Sequence, residues 1–228
     1  ATTFRQALRN PKILSELKEQ TIFSLCTAMN NESHLSKLKQ VFNQYPDFRR
    51  LNRLRDFYNR HSVPLDTGKP YIIFPLHLNP ERSTLPEGLL FEDQLLAIKI
   101  LSRAMPEGWT LYVKENPGQL TASFWQFGGY HHRDVADYQM MLDDPGVQLL
   151  SLNEPMPNVL AHAQAIASIK GSVGWEAMKH HGKPAIVFAP VWYSACPSCF
   201  QVSSVEGCKA LVSSSSWLTK IPSFSRAP

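Results

Sequence analysis

Residues 168–188 read SIKGSVGWEAMKHHGKPAIVF: two apolar runs, and between them a Gly-Ser-Val-Gly turn, a short helix-like stretch and a His-Gly-Lys-Pro break. A helix N-terminus carries unpaired backbone N–H groups and about half a positive charge, so a turn without bulky side chains lets an anion approach it closely. Gly171 and Gly174 would clear that approach, and Ser172 would add a hydroxyl donor. Lys114, in LYVKENP, could bring a mobile positive charge to the same anion. Glu176, in the first helical turn, could accept hydrogen bonds from a diol. The same residues also suit a plain βα turn whose glutamate complements the helix dipole. Spacing alone does not choose between the two.

A second cluster follows the apolar run YIIFPL. In HLNPERSTLPEG, residues 77–88, six of eight consecutive positions are polar or ionisable: His77, Asn79, Glu81, Arg82, Ser83 and Thr84. Turn chemistry alone does not call for so many, which favours binding, with His77 and Glu81 as candidates for proton transfer. A third cluster, KENPGQ, holds Lys114, Glu115, Asn116 and Gln119. Cys196-Pro-Ser-Cys199 has the spacing of half a zinc site, but no second such pair follows, so a loop is expected and no metal site. No Gly-x-Ser-x-Gly elbow and no Walker lysine occurs, which leaves the common hydrolase and triphosphatase signatures unmatched.

The elements that must position these residues alternate. YIIFPL, WTLYVK, VQLLS, AIASI and AIVFA are near-continuously apolar, as strands buried on both faces must be. Between them lie helical periods at 91–105, 135–142, MPNVLAHA and GWEAMKHH. This succession predicts a Rossmann-like α/β domain, a parallel sheet with helices on both faces, over residues 66–212. In such sheets ligands bind at the carboxyl ends of the strands, which is where all three polar clusters fall. Residues 1–65 are expected to be a helical segment: Asn10-Pro11, Ser33 and Asp47 are start signals for three amphipathic helices. The proline- and glycine-bearing HSVPLDTGKP then marks a linker. The tail 213–228, SSSSWLTKIPSFSRAP, shows no period and is expected to be poorly ordered.

Of 228 residues, 43% are hydrophobic and 11% aromatic, ample for a packed core. The net charge of +4 is uneven: residues 1–60 hold eleven Lys and Arg against five Asp and Glu, and the remainder twelve against fourteen. The excess centres on FRRLNRLRDFYNR, residues 48–60, a solvated helix face or a stripe for an anionic lipid surface or phosphate-bearing acceptor. No recognition motif accompanies it, so nucleic acid is not expected. No apolar run is long enough to span a bilayer and no secretion signal opens the chain, which makes the cytoplasm the expected compartment. Four cysteines suit reduced thiols better than a disulfide scaffold. The lack of an initiator methionine suggests a processed or excerpted chain.

Four motifs in order, FPLHLNPERSTLPEG, LYVKENP, RDVADYQMML and KGSVGWEAMKHHGKPAIVFAPVWY, resemble the capsule and surface-polysaccharide biosynthesis glycosyltransferases that include the bacterial Kdo transferases. The likeness spans residues 71 to about 211. That family is similar to the GT-B enzymes, built of two Rossmann domains, the C-terminal one binding the nucleotide-sugar donor. The resemblance implies that residues 66–212 are the donor-binding half of an incomplete enzyme, residues 1–65 a remnant of or link to the acceptor half. It further implies transfer of a sugar (hexosyl or Kdo) from a nucleotide sugar to a polysaccharide or glycolipid acceptor, without a metal or other cofactor, and peripherally at the inner face of the membrane. Lys114, Asn116, Gly171, Ser172 and Gly174 would hold the donor phosphate, Glu176 and Gln94 the ribose or base, with His77 and Glu81 catalytic. Family members usually carry His-Pro where this chain has Asn116-Pro117, and asparagine can donate a hydrogen bond but no charge. A nucleotide-sugar 2-epimerase of the same architecture, or a binding-only fragment, are the alternatives.

Overall fold

The computed structural model describes residues 49–81, 86–121 and 133–213. The helices expected around Leu14–Leu25 and Leu35–Tyr45, and the tail beyond Ser213, lie outside the described residues. The chain divides into two compact units, Ala1–Asn52 and Arg53–Pro228.

Among the described residues, the second unit is built on an all-parallel sheet of seven strands: β1 (Ser62–Val63), β2 (Tyr71–Pro75), β3 (Thr110–Lys114), β4 (Val147–Leu150), β5 (Ala165–Ser168), β6 (Ala185–Val187) and β7 (Cys199–Gln201). Their spatial order is β1-β4-β3-β2-β5-β6-β7. Helix α1 covers residues 49–61. The others are α2 (Gln94–Ala104), α3 (Val135–Leu142), α4 (Met156–His162), α5 (Val173–His181) and α6 (Val205–Ser213). Every strand and helix expected between 71 and 189 is present within a few residues of its expected bounds. The sheet also takes in β1, from inside the segment expected to be helical. Ser62 and Val63 pair with Leu149 and Leu150 of β4, and two residues are too short a run to register as a strand in the sequence. The Cys-Pro-Ser-Cys run is not wholly loop either, since Cys199 opens β7 at the other edge.

The burial follows from the pleat. Tyr71 and Ile73 point to one face, where they meet Tyr112, Leu150, Val159, Leu160, Ile166, Ala177 and Met178 beneath α4 and α5. Ile72 and Phe74 alternate to the other face, and both are fully buried. Helix α2 packs against α3 and α6 on that side. Asp93 caps α2 by accepting from the Leu95 N–H at 2.9 Å, and Asp134 and Asp137 form a capping box on α3. Gly182 ends α5 in the left-handed region, φ 60°, which a residue without Cβ adopts freely.

The first three chain-sequential strands of the main alternation step outward as β2, β3, β4; the chain then crosses to the other side of β2 to lay down β5, β6 and β7. The strand order therefore reverses between β2 and β5, and a crevice is expected just outside their carboxyl ends.

Candidate functional site at the strand-order switch

A cavity of about 290 Å³ lies at that point. Its polar lining comes from the β2 end (His77 and Glu81), the β3 end (Asn116) and the turn from β5 into α5 (Lys170, Gly171 and Ser172). Five of the nine residues expected to form a site thus meet in one crevice, and Lys170, quoted within KGSVGWE but given no role, joins them.

The turn is built to leave backbone donors open. Ser172 is the N-cap of α5, yet its side chain makes no capping hydrogen bond, so the first N–H groups of the helix receive no side-chain acceptor from it. Gly171 is held from both sides: its N–H donates to Ser168 Oγ at 3.4 Å, and its carbonyl accepts from the Tyr193 hydroxyl. A Cβ on Gly171 would stand 3.1 Å from His77 Cε1, so the glycine lets the imidazole lie against the turn. Lys170 Nζ pairs with Glu87 Oε2 at 2.6 Å, both side chains about 30% exposed. A pair this accessible to water contributes roughly 0–1 kcal/mol and yields readily to an incoming anion. Asn116 caps the short 3-10 turn Pro117–Leu120 through its side-chain oxygen, which accepts from the Gly118 N–H at 3.0 Å. The amide nitrogen remains to donate into the crevice.

His77 is held by its main chain. Its N–H donates to Gln94 Oε1 at 2.8 Å; its carbonyl accepts from Gln94 Nε2 at 3.1 Å and from Arg133 Nη2 at 3.4 Å. Gln119 treats Asn79 in the same way, accepting from its N–H at 2.8 Å and donating to its carbonyl at 3.1 Å. Two glutamine amides thereby replace the ladder partners that the chain loses on leaving β2. The imidazole accepts from the Lys170 N–H at 3.5 Å through Nε2, and Nδ1 stands 3.9 Å from Glu81 Oε2. Burial lowers the pKa of His77, Glu81 opposing and Arg133 assisting, so the ring is neutral at pH 7. With Nε2 accepting from the Lys170 N–H, the neutral ring carries its proton on Nδ1, the nitrogen nearer Glu81.

Behind this loop is a buried charged cluster. Glu115 and Arg133 pair at 2.9 Å with both side chains almost wholly buried, and the Tyr138 hydroxyl donates to Glu115 Oε2 at 2.6 Å. Burial works against the guanidinium charge, but Glu115, Tyr138 and Asp137 outweigh it and hold the pKa of Arg133 above its ordinary value. The pair matters for the site because Arg133 reaches on to the His77 carbonyl.

Four expected site residues do not line the cavity. Lys114 is buried, its ammonium donating to the Glu154 carbonyl; burial lowers its pKa, with Glu154 opposing. The strand pleat sends it towards the loop after β4, and Lys170 stands in the crevice where Lys114 was expected. Gln94 has its amide occupied by the His77 main chain and is a positioning residue, not a ribose contact. Gly174 faces away from the crevice: a Cβ there would lie 2.5 Å from Tyr193 Oη and 3.2 Å from Ala185 Cβ. Its lack of a side chain lets α5 approach β6 and lets Tyr193 reach Gly171. Glu176 is exposed in the first turn of α5, where it complements the helix dipole. The signals for Lys170 and Gln119 were their positions, one residue before the glycine turn and five after Lys114. Periodicity does not report which way a loop side chain points. Among the described residues, no group of three or more His, Cys, Asp or Glu side chains is placed to hold a metal ion.

No protein-family model matches the chain, and no curated protein matches it. Similar solved structures include two KpsC proteins of Thermosulfurimonas dismutans. One, a beta Kdo 2,7 transferase, is 15% identical, with 70% of this chain and 47% of that one covered and a TM-score of 0.46. The other, a beta Kdo 2,4 transferase, is 16% identical, with 73% and 54% covered and a TM-score of 0.40. WaaG, a glycosyltransferase involved in lipopolysaccharide biosynthesis, is 14% identical, with 67% and 42% covered and a TM-score of 0.40. At these identities and TM-scores the matches stand as likenesses, and the chain spans about half the length of the two Kdo transferases.

Proposed function

We propose that this domain grips the phosphate of a nucleotide sugar and serves as the donor-binding part of a glycosyltransferase acting on a surface polysaccharide or glycolipid. The observation that carries the reading is the convergence, in one crevice at the strand-order switch, of Lys170, Ser172, Asn116 and the uncapped N-terminus of α5. The order of the four motifs in the sequence supports the choice of a sugar nucleotide over other phosphates.

In sugar transfer the bond between an anomeric carbon and a phosphate breaks, and negative charge gathers on the departing phosphate. Backbone N–H groups of α5, the Ser172 hydroxyl and the Lys170 ammonium are donors of the kind that stabilise such charge, and they belong to the chain itself. His77 and Glu81, side by side in the crevice, are the candidates for taking the proton of the attacking hydroxyl, Glu81 as a carboxylate or His77 once its Nε2 leaves the Lys170 N–H. An acceptor carried on lipid would place the reaction at a membrane surface, on the cytoplasmic side where nucleotide sugars are held. None of the described helices is long and apolar enough to cross a membrane.

Thermal unfolding with CMP, UDP, GDP and CDP compounds tests the first step, because a ligand of the folded state raises the unfolding temperature by mass action. One nucleotide should give a shift, and Lys170→Ala should weaken its affinity about tenfold, the loss of one charge-assisted hydrogen bond. If no nucleotide shifts the transition, or if Lys170→Ala binds as the parent does, the crevice is not a donor site. Incubation with the bound nucleotide sugar and a polysaccharide acceptor then separates transfer from epimerisation at C2 of the sugar and from binding without turnover.

A further inference from the structure

A second cavity opens on the same carboxyl edge, on the other side of the 3-10 turn Pro117–Leu120, with a volume of about 530 Å³. Helix α1 contributes Arg55 and Asn59, β1 contributes Ser62, and the loop after β4 contributes Ser151 and Asn153. Arg55 is half-buried and fixed at one nitrogen, Nη2, which donates to the Leu120 carbonyl at 2.6 Å. A guanidinium has five N–H donors, and the others of Arg55 make no hydrogen bond to a described residue. The carboxamides of Asn59 and Asn153 are likewise uncommitted among the described residues. Ser151 Oγ accepts from the Asn153 N–H at 3.3 Å and keeps its own proton to donate. No aspartate or glutamate is among the described residues that line the cavity.

We propose that this cavity binds an anionic sugar unit, a saccharide carrying a carboxylate or a phosphate. The guanidinium supplies a planar fork for the oxyanion, with no carboxylate among the described lining residues to compete for it. Two carboxamides and two hydroxyls offer both donors and acceptors, which suits ring hydroxyls and exceeds what a bare inorganic anion can use. The rings of Pro64 and Pro117 give the apolar surface against which the C–H face of a sugar packs. A nucleic-acid backbone would call for several cations, and Arg55 is the single one among the described residues lining the cavity. One arginine of the basic stripe at residues 48–60 is thereby drawn out of the solvated face and given a ligand. Occupancy here does not depend on a nucleotide at Gly171.

The full 228-residue chain, labelled with nitrogen-15, is titrated separately with glucuronate, glucose 6-phosphate, glucose and inorganic phosphate. The arginine Nε–H signals and the backbone amides of Ser151 and Asn153 are followed. Glucuronate, glucose 6-phosphate or both should move the Arg55 and Asn153 signals and bind at least about tenfold more tightly than glucose and inorganic phosphate, the worth of a charge-assisted contact. Binding of one charged sugar alone identifies the anion as carboxylate or as phosphate. Asn59→Asp sets a carboxylate into the lining at an exposed position that tolerates it, and should weaken binding about tenfold; Arg55→Lys, which keeps the charge and loses the fork, should also weaken it. The inference is overturned if glucose or inorganic phosphate binds as tightly as the charged sugar that moves these signals, if Asn59→Asp binds as the parent does, or if neither charged sugar moves these signals. A nucleotide titration read at Gly171 and Val173 in the same spectra reports on the first crevice separately, so the two outcomes cannot be confused.

Discussion

Replacing Gly174 by alanine would add one methyl group at the point where α5, β6 and Tyr193 meet. The new Cβ would stand 2.5 Å from Tyr193 Oη, 3.2 Å from Tyr193 Cζ and 3.2 Å from Ala185 Cβ. The first distance is far inside contact, so the phenol must move, and moving it breaks the hydrogen bond that the hydroxyl donates to the Gly171 carbonyl. A hydroxyl displaced into a buried site without a partner costs about 1–3 kcal/mol. Crowding of α5 against β6 adds about 1–3 kcal/mol, and the better helix propensity of alanine returns about 1 kcal/mol. The net expectation is a destabilisation of about 3 kcal/mol. Urea unfolding followed by tryptophan fluorescence measures it, with Trp175 and Trp192, 5.0 Å apart beside Tyr193, as local reporters. Tyr193→Phe alone should cost about 1 kcal/mol, the worth of one hydrogen bond. Combined with Gly174→Ala it removes the atom that clashes hardest, so the double variant should be more stable than the two costs summed by about 1–2 kcal/mol. Two results would refute the reasoning: Gly174→Ala as stable as the parent, or costs that add to within about 0.4 kcal/mol.

Gln94→Leu keeps the bulk of the side chain but leaves the His77 N–H and one His77 carbonyl contact unmatched; a loss of about 1–3 kcal/mol and weakened nucleotide binding are expected from unfolding and titration together. Arg133→Met strands the buried Glu115 carboxylate and should cost about 3–5 kcal/mol in urea unfolding, whereas Glu115→Gln combined with Arg133→Met should recover much of that loss. Because burial lowers the pKa of His77 below its unfolded value of 6.5, the unfolded chain binds the proton more tightly. Its contribution to stability is therefore complete above about pH 6.5 and falls as the pH drops from there towards the lowered folded value. His77→Gln should flatten the slope of unfolding temperature against pH between about 7 and 5; an unchanged slope would mean that the imidazole does not titrate as placed.

The fold was legible in the sequence because a strand buried on both faces must be apolar along its whole length, and a helix lying on it must repeat its apolar residues every three to four positions. YIIFPL, WTLYVK and AIASI admit little else, and with them came the carboxyl edge and the three loops that had to border any ligand. Strands β1 and β7 escaped because two or three residues at a sheet edge carry no period to read. Side-chain direction was decided only by the assembled structure. Lys114 closes one apolar strand and Lys170 follows another, and the sequence favours the first; the pleat turns Lys114 to the Glu154 carbonyl and leaves Lys170 facing the crevice. Gly171 and Gly174 look interchangeable in a Gly-Ser-Val-Gly turn, yet one touches His77 and the other sits under Tyr193, nineteen residues further along the chain. Local sequence sets which element a residue belongs to; what that residue touches depends on neighbours brought together by the crossover between β2 and β5, and no spacing along the chain encodes them.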